Sequence, residues 1–202
     1  MVKLNFNPDK VFFTSDLHFG HENIIRFVGR PFRDLKEMHE ALIANWNETV
    51  PDDGIVFNLG DVCLGGSYVW HHNLEQLRGT QYLIMGNHDY KNYRESYSKY
   101  FQMVSQQMYI YVDGVSIYLN HHPFLCFGGA YNKEHNVWNL FGHVHSGPGS
   151  SNGKDHNRLQ YLAPTQYDVG VDNNNFRPVS FWEVKEIIEK QVKEAENTPI
   201  GT

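Results

Sequence analysis

The chain contains very little cysteine, with only Cys63 and Cys126 among its 202 residues. Two cysteines cannot build the disulfide framework of a small secreted domain, and reduced thiols fit a reducing compartment. No apolar run approaches the roughly 20 residues that span a bilayer. The first ten residues also do not show the charged and then apolar pattern of a secretory signal. We therefore expect a cytoplasmic protein with no membrane partner.

Positive charge is scarce as well, because 17 Lys and Arg are set against 23 Asp and Glu and the formal net charge is -6. A chain with this balance has no long-range attraction for polyanions, so bulk nucleic-acid binding is not expected. Any recognition of phosphate must come from a local arrangement of residues. Histidine is unusually abundant, with 12 residues, and it is a common metal ligand.

Short apolar strands alternate with helices in the first half of the chain, a pattern typical of a parallel sheet built from βαβ units. The predicted strands are KVFFT (10–14), IVFNL (55–59) and QYLIM (81–85), and the predicted helices cover 21–28, 34–50 and 68–77. Asp34 is the predicted N-cap of the second helix. The length of the chain fits one core, so we predict a single domain over residues 1–190 and a flexible tail over 191–202.

The second half of the chain changes character. YIYV and VSIYL flank Asp113-Gly114, which predicts a hairpin with a type I′ turn. WNLF (138–141), LQYL (159–162) and YDVGV (167–171) are further predicted strands. Ser180 and Glu183 form a predicted capping box at the start of a last helix. We therefore predict an α/β sandwich with mixed sheets.

Five of the predicted strands end in Asp, His or Asn, in the segments Ser15-Asp16-Leu17-His18, Gly60-Asp61, Gly86-Asn87-His88-Asp89, Asn120-His121-His122-Pro123 and Gly142-His143-Val144-His145. Ligands bind at the carboxyl ends of strands in α/β sheets, so we expect these groups to form one site. Oxygen and imidazole ligands without thiolate suit Mn²⁺, Fe, Zn²⁺ or Ni²⁺. Seven such ligands exceed the needs of one metal and suit two that share a carboxylate.

The five segments, in this order between residues 16 and 145, resemble the sequence blocks of the calcineurin-like metallophosphoesterases. The resemblance implies a four-layer α/β/β/α sandwich with mixed sheets, without a sizeable cap domain, and two divalent or trivalent ions, of which Mn²⁺ is the first choice. It implies that metal one binds Asp16, His18 and His145, that metal two binds Asn87, His121 and His143, and that Asp61 bridges them. The family's fourth block is His-x-Pro, which selects His121 over His122. His88 is implied as an acid near the leaving group.

This resemblance predicts a hydrolase that acts on a small phosphoester. A metal-bridging hydroxide would attack phosphorus in line, and inversion at phosphorus follows because no covalent phospho-enzyme is needed. A phosphodiester, including a nucleotide diester, is the preferred substrate, with a phosphomonoester or a phosphoprotein as the alternative. A second alternative is a metal-binding scaffold without catalysis.

Other polar residues lie close to these segments. Asp89 either orients His88 or serves the turn. His21, Asn23, Arg26 and Arg30 directly follow Asp-x-His, and arginine can clamp phosphate oxygens with paired N–H groups. We therefore predict that this set contributes substrate contacts, including a phosphate contact from at least one member; a local cap or pair is the alternative for His21. His156 and Arg158 are candidates for the rim of the site.

Overall fold

A computed structural model describes residues 5–147 and 159–197, and in these residues ten strands form two five-stranded sheets. The first sheet has the order β10-β2-β3-β4-β5 and the second has the order β1-β6-β7-β8-β9. The strands are β1 Asn5–Phe6, β2 Val11–Thr14, β3 Ile55–Asn58, β4 Thr80–Ile84, β5 Phe101–Ser105, β6 Gln107–Val112, β7 Val115–Asn120, β8 Val137–Phe141, β9 Gln166–Asp168 and β10 Val179–Ser180. Each sheet has one antiparallel pair, β10 with β2 and β6 with β7. The predicted α/β class with mixed sheets is confirmed.

The main core lies between the two sheets. In β6 and β7 buried and half-buried side chains alternate along each strand, as expected when one face of a strand packs inward. Phe13 and Phe57 lie on neighbouring strands of the first sheet, with their rings stacked 5.8 Å apart, and join Ile110 and Leu119 of the second sheet in one apolar cluster. The predicted hairpin is present, since Asp113 and Gly114 both have positive φ, as a type I′ turn requires.

Five helices flank the sheets in the described residues: α1 Glu22–Phe27, α2 Leu35–Thr49, α3 Ser67–Leu74, α4 Asp89–Asn92 and α5 Phe181–Asn197. The side chains of α1 to α3 form a second apolar cluster on the outer face of the first sheet. Asp34 caps α2 as predicted, because its carboxylate accepts from the Glu37 amide at 2.9 Å. At the start of α5 the Glu183 carboxylate accepts from Ser180 N and the Ser180 hydroxyl from Glu183 N, so the capping box is confirmed.

Helix α5 closes one side of the sandwich. Its residues Phe181, Val184, Ile188 and Val192 belong to the cluster between the sheets, and Gln191 donates to the Gln166 carbonyl of β9, an edge strand. The helix continues past residue 190 to Asn197, so the predicted tail over 191–202 begins too early. Val192 is buried, so the apolar face of the helix still packs on the core beyond residue 190 and stabilises its last turns.

Two further differences concern strands. LQYL (159–162) is not a strand: these residues form a turn. The edge strands β1, β5 and β10 were not predicted; β1 and β10 have only two residues each. His156 and Arg158 lie outside the described residues. No helix in the described part of the chain is both long and apolar enough to cross a lipid bilayer.

The carboxyl ends of the central strands meet at one edge of the sandwich. Strands β2, β3 and β4 are parallel neighbours in the first sheet, and β7, β8 and β9 are parallel neighbours in the second. A parallel bridge between Ser15 and Gly170 joins the end of β2 to the end of β9. The loops that carry the predicted ligands therefore converge at one place.

Candidate metal centre

The backbone of the converging loops has an uncommon conformation. Five of the seven predicted metal ligands have positive φ: Asp16 (60°), His18 (54°), Asp61 (54°), His143 (71°) and His145 (47°). Non-glycine residues avoid this region, and each costs on the order of 1 kcal/mol or more, so such residues cluster at functional sites. His143 and His145 both have a left-handed backbone, so their segment does not continue β8 as an extended strand. The left-handed turn of the backbone, and not the alternation of a strand, sets the direction of these two side chains.

Two glycines let the loops approach one another closely. A Cβ on Gly86 would lie 2.2 Å from Asp61 Oδ1, and one on Gly142 would lie 2.4 Å from Asp16 Oδ2. No side chain fits at these distances. The glycines that precede Asn87 and His143 are therefore needed for the carboxylates to occupy their positions.

The first group of predicted ligands is fully enclosed. Asp16, His18 and His145 each have a ligand atom within 4.8 Å of the others, and the Nε2 atoms of His18 and His145 lie 3.8 and 3.9 Å from Asp16 Oδ1. Asp16 Oδ1 and His18 Nε2 are buried and have no hydrogen-bond partner. Buried polar atoms are seldom left unpaired, and here both point to the same small space.

The second group adjoins the first through Asp61. Its Oδ1 accepts from the His88 amide at 2.8 Å, while Oδ2 lies 3.7 Å from His18 Nε2 and 3.5 Å from His121 Nε2. His121 Nε2 also lies 3.1 Å from Asn87 Oδ1, and the rings of His121 and His143 are 5.2 Å apart. Asp61 thus lies between the two groups, in the position a bridging ligand requires.

The protonation of the cluster is consistent with a bound cation. Burial lowers the pKa of His18 and of His143 to about 4, so both rings are neutral and able to coordinate near neutral pH. Burial also opposes charge on His121, but Asp61 and Asp16 outweigh it and raise its pKa to about 9. Protons on His121 balance carboxylate charge that metal ions would otherwise balance. With the unpaired Asp16 and His18 atoms, this donor set of carboxylate, imidazole and amide fits two divalent ions.

Two of the predicted ligands are oriented through their second ring nitrogen. His121 Nδ1 donates to the Leu59 carbonyl at 2.7 Å, and His145 Nδ1 lies 2.7 Å from Asp172 Oδ2. Such bonds fix the tautomer in which Nε2 can coordinate a metal. Asp172 was not predicted, because it lies 27 residues after His145 and outside any of the five segments.

His88 and Asp89 separate into different roles. The His88 ring is partly exposed and faces the cavity, with Nε2 3.9 Å from Asp61 Oδ2. Asp89 is fully buried, and its carboxylate accepts from the amides of Gly86, Asp61 and Val62. These bonds tie the Gly86 loop to the Asp61 loop, which corresponds to the turn role of the two roles considered for Asp89. Burial raises the pKa of Asp89 to about 6.

The four residues predicted to bind substrate do not act together. Arg30 is buried: its guanidinium forms a paired salt bridge with Asp172 at 2.8 and 2.9 Å and donates to the carbonyls of Asp16 and Leu17. It therefore cannot reach a substrate, and the predicted phosphate clamp is wrong for this residue. Arg26 and Asn23 are exposed and bond to each other. His21 lines the cavity and pairs with His18 through Nδ1 at 3.1 Å.

We expect Arg30→Met to lower the free energy of unfolding of chelator-treated protein by about 3 to 5 kcal/mol, because it leaves Asp172 buried without its partner. Arg26→Met removes only an exposed hydrogen bond and is the matched control, with a change within about 0.5 kcal/mol. Urea unfolding measures both. An Arg30→Met protein as stable as the control but unable to bind phosphate would restore the clamp assignment.

His39 links the site to the stability of the protein at acid pH. The Gly20 amide, two residues from His18, donates to His39 Nε2 at 2.8 Å, and burial lowers the pKa of this ring to about 4. Because the folded state holds His39 neutral, its contribution is fully present above the unfolded pKa near 6.5. It is lost as the pH falls from 6.5 towards 4.

We therefore expect His39→Gln to flatten part of the loss of stability between pH 6.5 and pH 4, by roughly 1 to 2 kcal/mol after discounting for the partial exposure of the ring. Urea unfolding of chelator-treated protein at a series of pH values measures this. An identical pH dependence in wild type and variant would show that folding does not lower the pKa of His39.

Five of the predicted ligands line a cavity of about 440 Å³: His18, Asp61, Asn87, His143 and His145. One side is apolar and comes from α1, with Ile24, Phe27 and Val28, and the other carries His21 and His88. Within the described residues, no lysine or arginine lines this cavity.

The chain is similar to several known proteins. The family profile described as calcineurin-like phosphoesterase matches residues 9–177. The uncharacterized protein MJ1445 of Methanocaldococcus jannaschii is 31% identical over 185 residues, which cover 90% of this chain and 92% of the relative. The gene 66 protein of Mycobacterium phage L5 is 38% identical over 81 residues, 38% of each chain.

A solved structure has a similar fold. The protein of unknown function AQ665 from Aquifex aeolicus superimposes with a TM-score of 0.65 and 26% identity, over 88% of this chain and 98% of that one. The profile match spans all five ligand-bearing segments and most of both sheets. The chain therefore belongs to the calcineurin-like phosphoesterase family.

Proposed function

We propose that this protein is a dinuclear metal-dependent phosphodiesterase. The observation that carries the proposal is the position of Asp61, whose Oδ2 lies within 4 Å of His18 and of His121, one imidazole from each ligand group. Metal one would be held by Asp16, His18 and His145, and metal two by Asn87, His121 and His143. Mn²⁺ is the proposed ion, since imidazole, carboxylate and amide oxygen suit it.

The chain's own residues would act around these ions. When bound, two such metals lower the pKa of water towards neutrality and neutralise charge on phosphoryl oxygens. His88 is a partly exposed imidazole at the side of the cavity and would donate a proton to the leaving oxygen. Its Nε2 lies 3.9 Å from Asp61 Oδ2, which places the ring at the edge of the metal centre.

The lining of the cavity favours a diester over a monoester. A phosphomonoester is a dianion at neutral pH, and proteins often bind such groups with paired arginine N–H donors. In the described residues the one buried arginine near the site, Arg30, is committed to Asp172. A diester carries only one charge, and the apolar wall of Ile24, Phe27 and Val28 suits an organic leaving group on the His88 side.

The test compares bis-p-nitrophenyl phosphate with p-nitrophenyl phosphate at saturating Mn²⁺. We expect kcat/KM for the diester to be at least about tenfold higher, corresponding to 1.4 kcal/mol. A preference for the monoester would favour the phosphomonoesterase alternative. A protein that binds metal but hydrolyses no phosphoester with Mn²⁺, Zn²⁺, Ni²⁺ or Fe²⁺ would be a binding scaffold.

A further inference from the structure

A second cavity of about 370 Å³ lies beside the metal centre, and we name it the apolar side cavity. Its lining is mostly apolar and comes from two segments, His122–Leu125 and Tyr161–Leu162, together with Val144. His143, a predicted ligand of metal two, lines both this cavity and the one above the metals. The two cavities are thus neighbours, and the ring of His143 lies between them.

The wall of the apolar side cavity is held in place by buried amides. The Phe124 amide donates to Asn139 Oδ1 at 3.1 Å, and Gln166 Nε2 donates to the Phe124 carbonyl at 2.9 Å. Gln166 also donates to Asn139 Oδ1, and both side chains are buried. Asn120 Nδ2 donates to the His122 carbonyl at 2.7 Å. Ligand pockets are usually preformed in this way.

Two large apolar side chains of this wall remain open to solvent. Leu125 is 82% exposed and Tyr161 is 67% exposed. Single exposed apolar residues are common, but a concave cluster beside a polar site marks a place for an apolar group. The Leu125 side chain is exposed, while the backbone of the preceding residue, Phe124, is held by the hydrogen bonds to Asn139 and Gln166.

We propose that the apolar side cavity binds the aromatic group that stays on phosphorus when a phosphodiester is hydrolysed. This inference rests on the proposed phosphodiesterase activity and names its substrate class: diesters in which the retained ester carries an aryl ring or a nucleobase. His88, the proposed proton donor to the leaving oxygen, lines the metal cavity and not the apolar side cavity. The leaving group therefore belongs on the His88 side, and the retained group on the side of His143 and Phe124.

The experiment varies the retained group while the leaving group stays p-nitrophenol. Phenyl p-nitrophenyl phosphate should have a kcat/KM at least about tenfold above that of methyl p-nitrophenyl phosphate, because the ring is buried beside Phe124 and Leu125. In Leu125→Ser this ratio should fall towards one. Leu125 is exposed, so its replacement does not threaten folding. Tyr131→Ala is the control: Tyr131 is 79% exposed and does not line the cavity, and the ratio should be that of wild type.

A nucleoside arm identifies the source of the aromatic group. The p-nitrophenyl ester of thymidine 5′-phosphate should also exceed the methyl ester if a nucleobase enters the cavity, and the phenyl ester alone should exceed it if only a small aryl group does. Either result supports the proposal. Equal kcat/KM for the phenyl and methyl esters, or a ratio unchanged in Leu125→Ser, would overturn it.

A binding measurement separates this proposal from the proposed function. Phenylphosphonate should bind Mn²⁺-loaded protein at least about tenfold more tightly than methylphosphonate in calorimetry, and Leu125→Ser should remove the difference. If no diester is hydrolysed but this preference is found, the activity fails and the apolar side cavity stands. If diesters are hydrolysed and the preference is not found, the cavity assignment fails alone.

Discussion

Asp61→Asn is expected to lower kcat/KM for a phosphodiester at least about a thousandfold, a loss of roughly 4 kcal/mol in transition-state stabilisation. Asn has nearly the same shape, and its carbonyl oxygen can still accept from the His88 amide as Asp61 Oδ1 does. It removes the negative charge from the atom that lies between His18 and His121. A neutral amide bridges two cations poorly, so we also expect metal content to fall from two ions per chain to one or none.

Elemental analysis after dialysis against Mn²⁺, with the activity assay, measures both effects. Asp53→Asn is the matched control, because Asp53 is exposed and pairs with Lys10, and neither residue belongs to the candidate site. We expect chelator-treated Asp61→Asn to be less stable than wild type, since burial opposes the charge on Asp61 but His121 outweighs it and holds the pKa of this carboxyl below its usual value. Two ions and full activity in Asp61→Asn would contradict the assignment of Asp61 as the bridge.

His88→Ala is expected to leave both metals bound and still reduce turnover by about a hundredfold or more for substrates with an alkyl leaving group. The reason is its position: the ring is partly exposed at the cavity side, while the predicted ligand rings of His18 and His121 are buried. The loss should be much smaller for p-nitrophenyl esters, because p-nitrophenolate leaves without needing a proton. Assays over a series of leaving groups measure this difference.

The same variant tests a rival assignment of His88. His18, Asp61 and His88 have ligand atoms within 4.8 Å of one another, so His88 could instead be a metal ligand. A ligand role predicts that His88→Ala loses metal and that all leaving groups suffer equally. Retained metal with a steeper dependence on the leaving-group pKa supports the proton donor.

Much of the fold follows from local chemistry that the sequence displays. The apolar runs of β2, β3 and β4 each end at a polar ligand segment, and parallel pairing then brings their ends together. Caps and tight turns can be predicted from residue type, because each residue supplies a hydrogen bond or a φ value at its own position. This applies to Asp34, Ser180 and the Asp113-Gly114 turn. The predicted ligand segments could be placed for the same reason.

The residues that were missed depend on long-range contacts. Arg30 looks like a phosphate clamp from its place after Asp-x-His, but its partner Asp172 is 142 residues away. Asp89 looks like a partner for His88, but its carboxylate holds amides of the Asp61 loop 27 and 28 residues away. The left-handed backbone at His143 and His145 also has no signal in residue type. LQYL was wrong because a short apolar run does not by itself distinguish a strand from a turn that packs against a helix.

The most direct test of the central claim is a metal titration of chelator-treated protein with bis-p-nitrophenyl phosphate as the substrate. Mn²⁺ is added in steps, and bound metal and rate are measured in the same samples. A dinuclear centre predicts little activity at one bound ion per chain and a plateau at two. Full activity at one bound ion, or activity that survives removal of all metal, would contradict it.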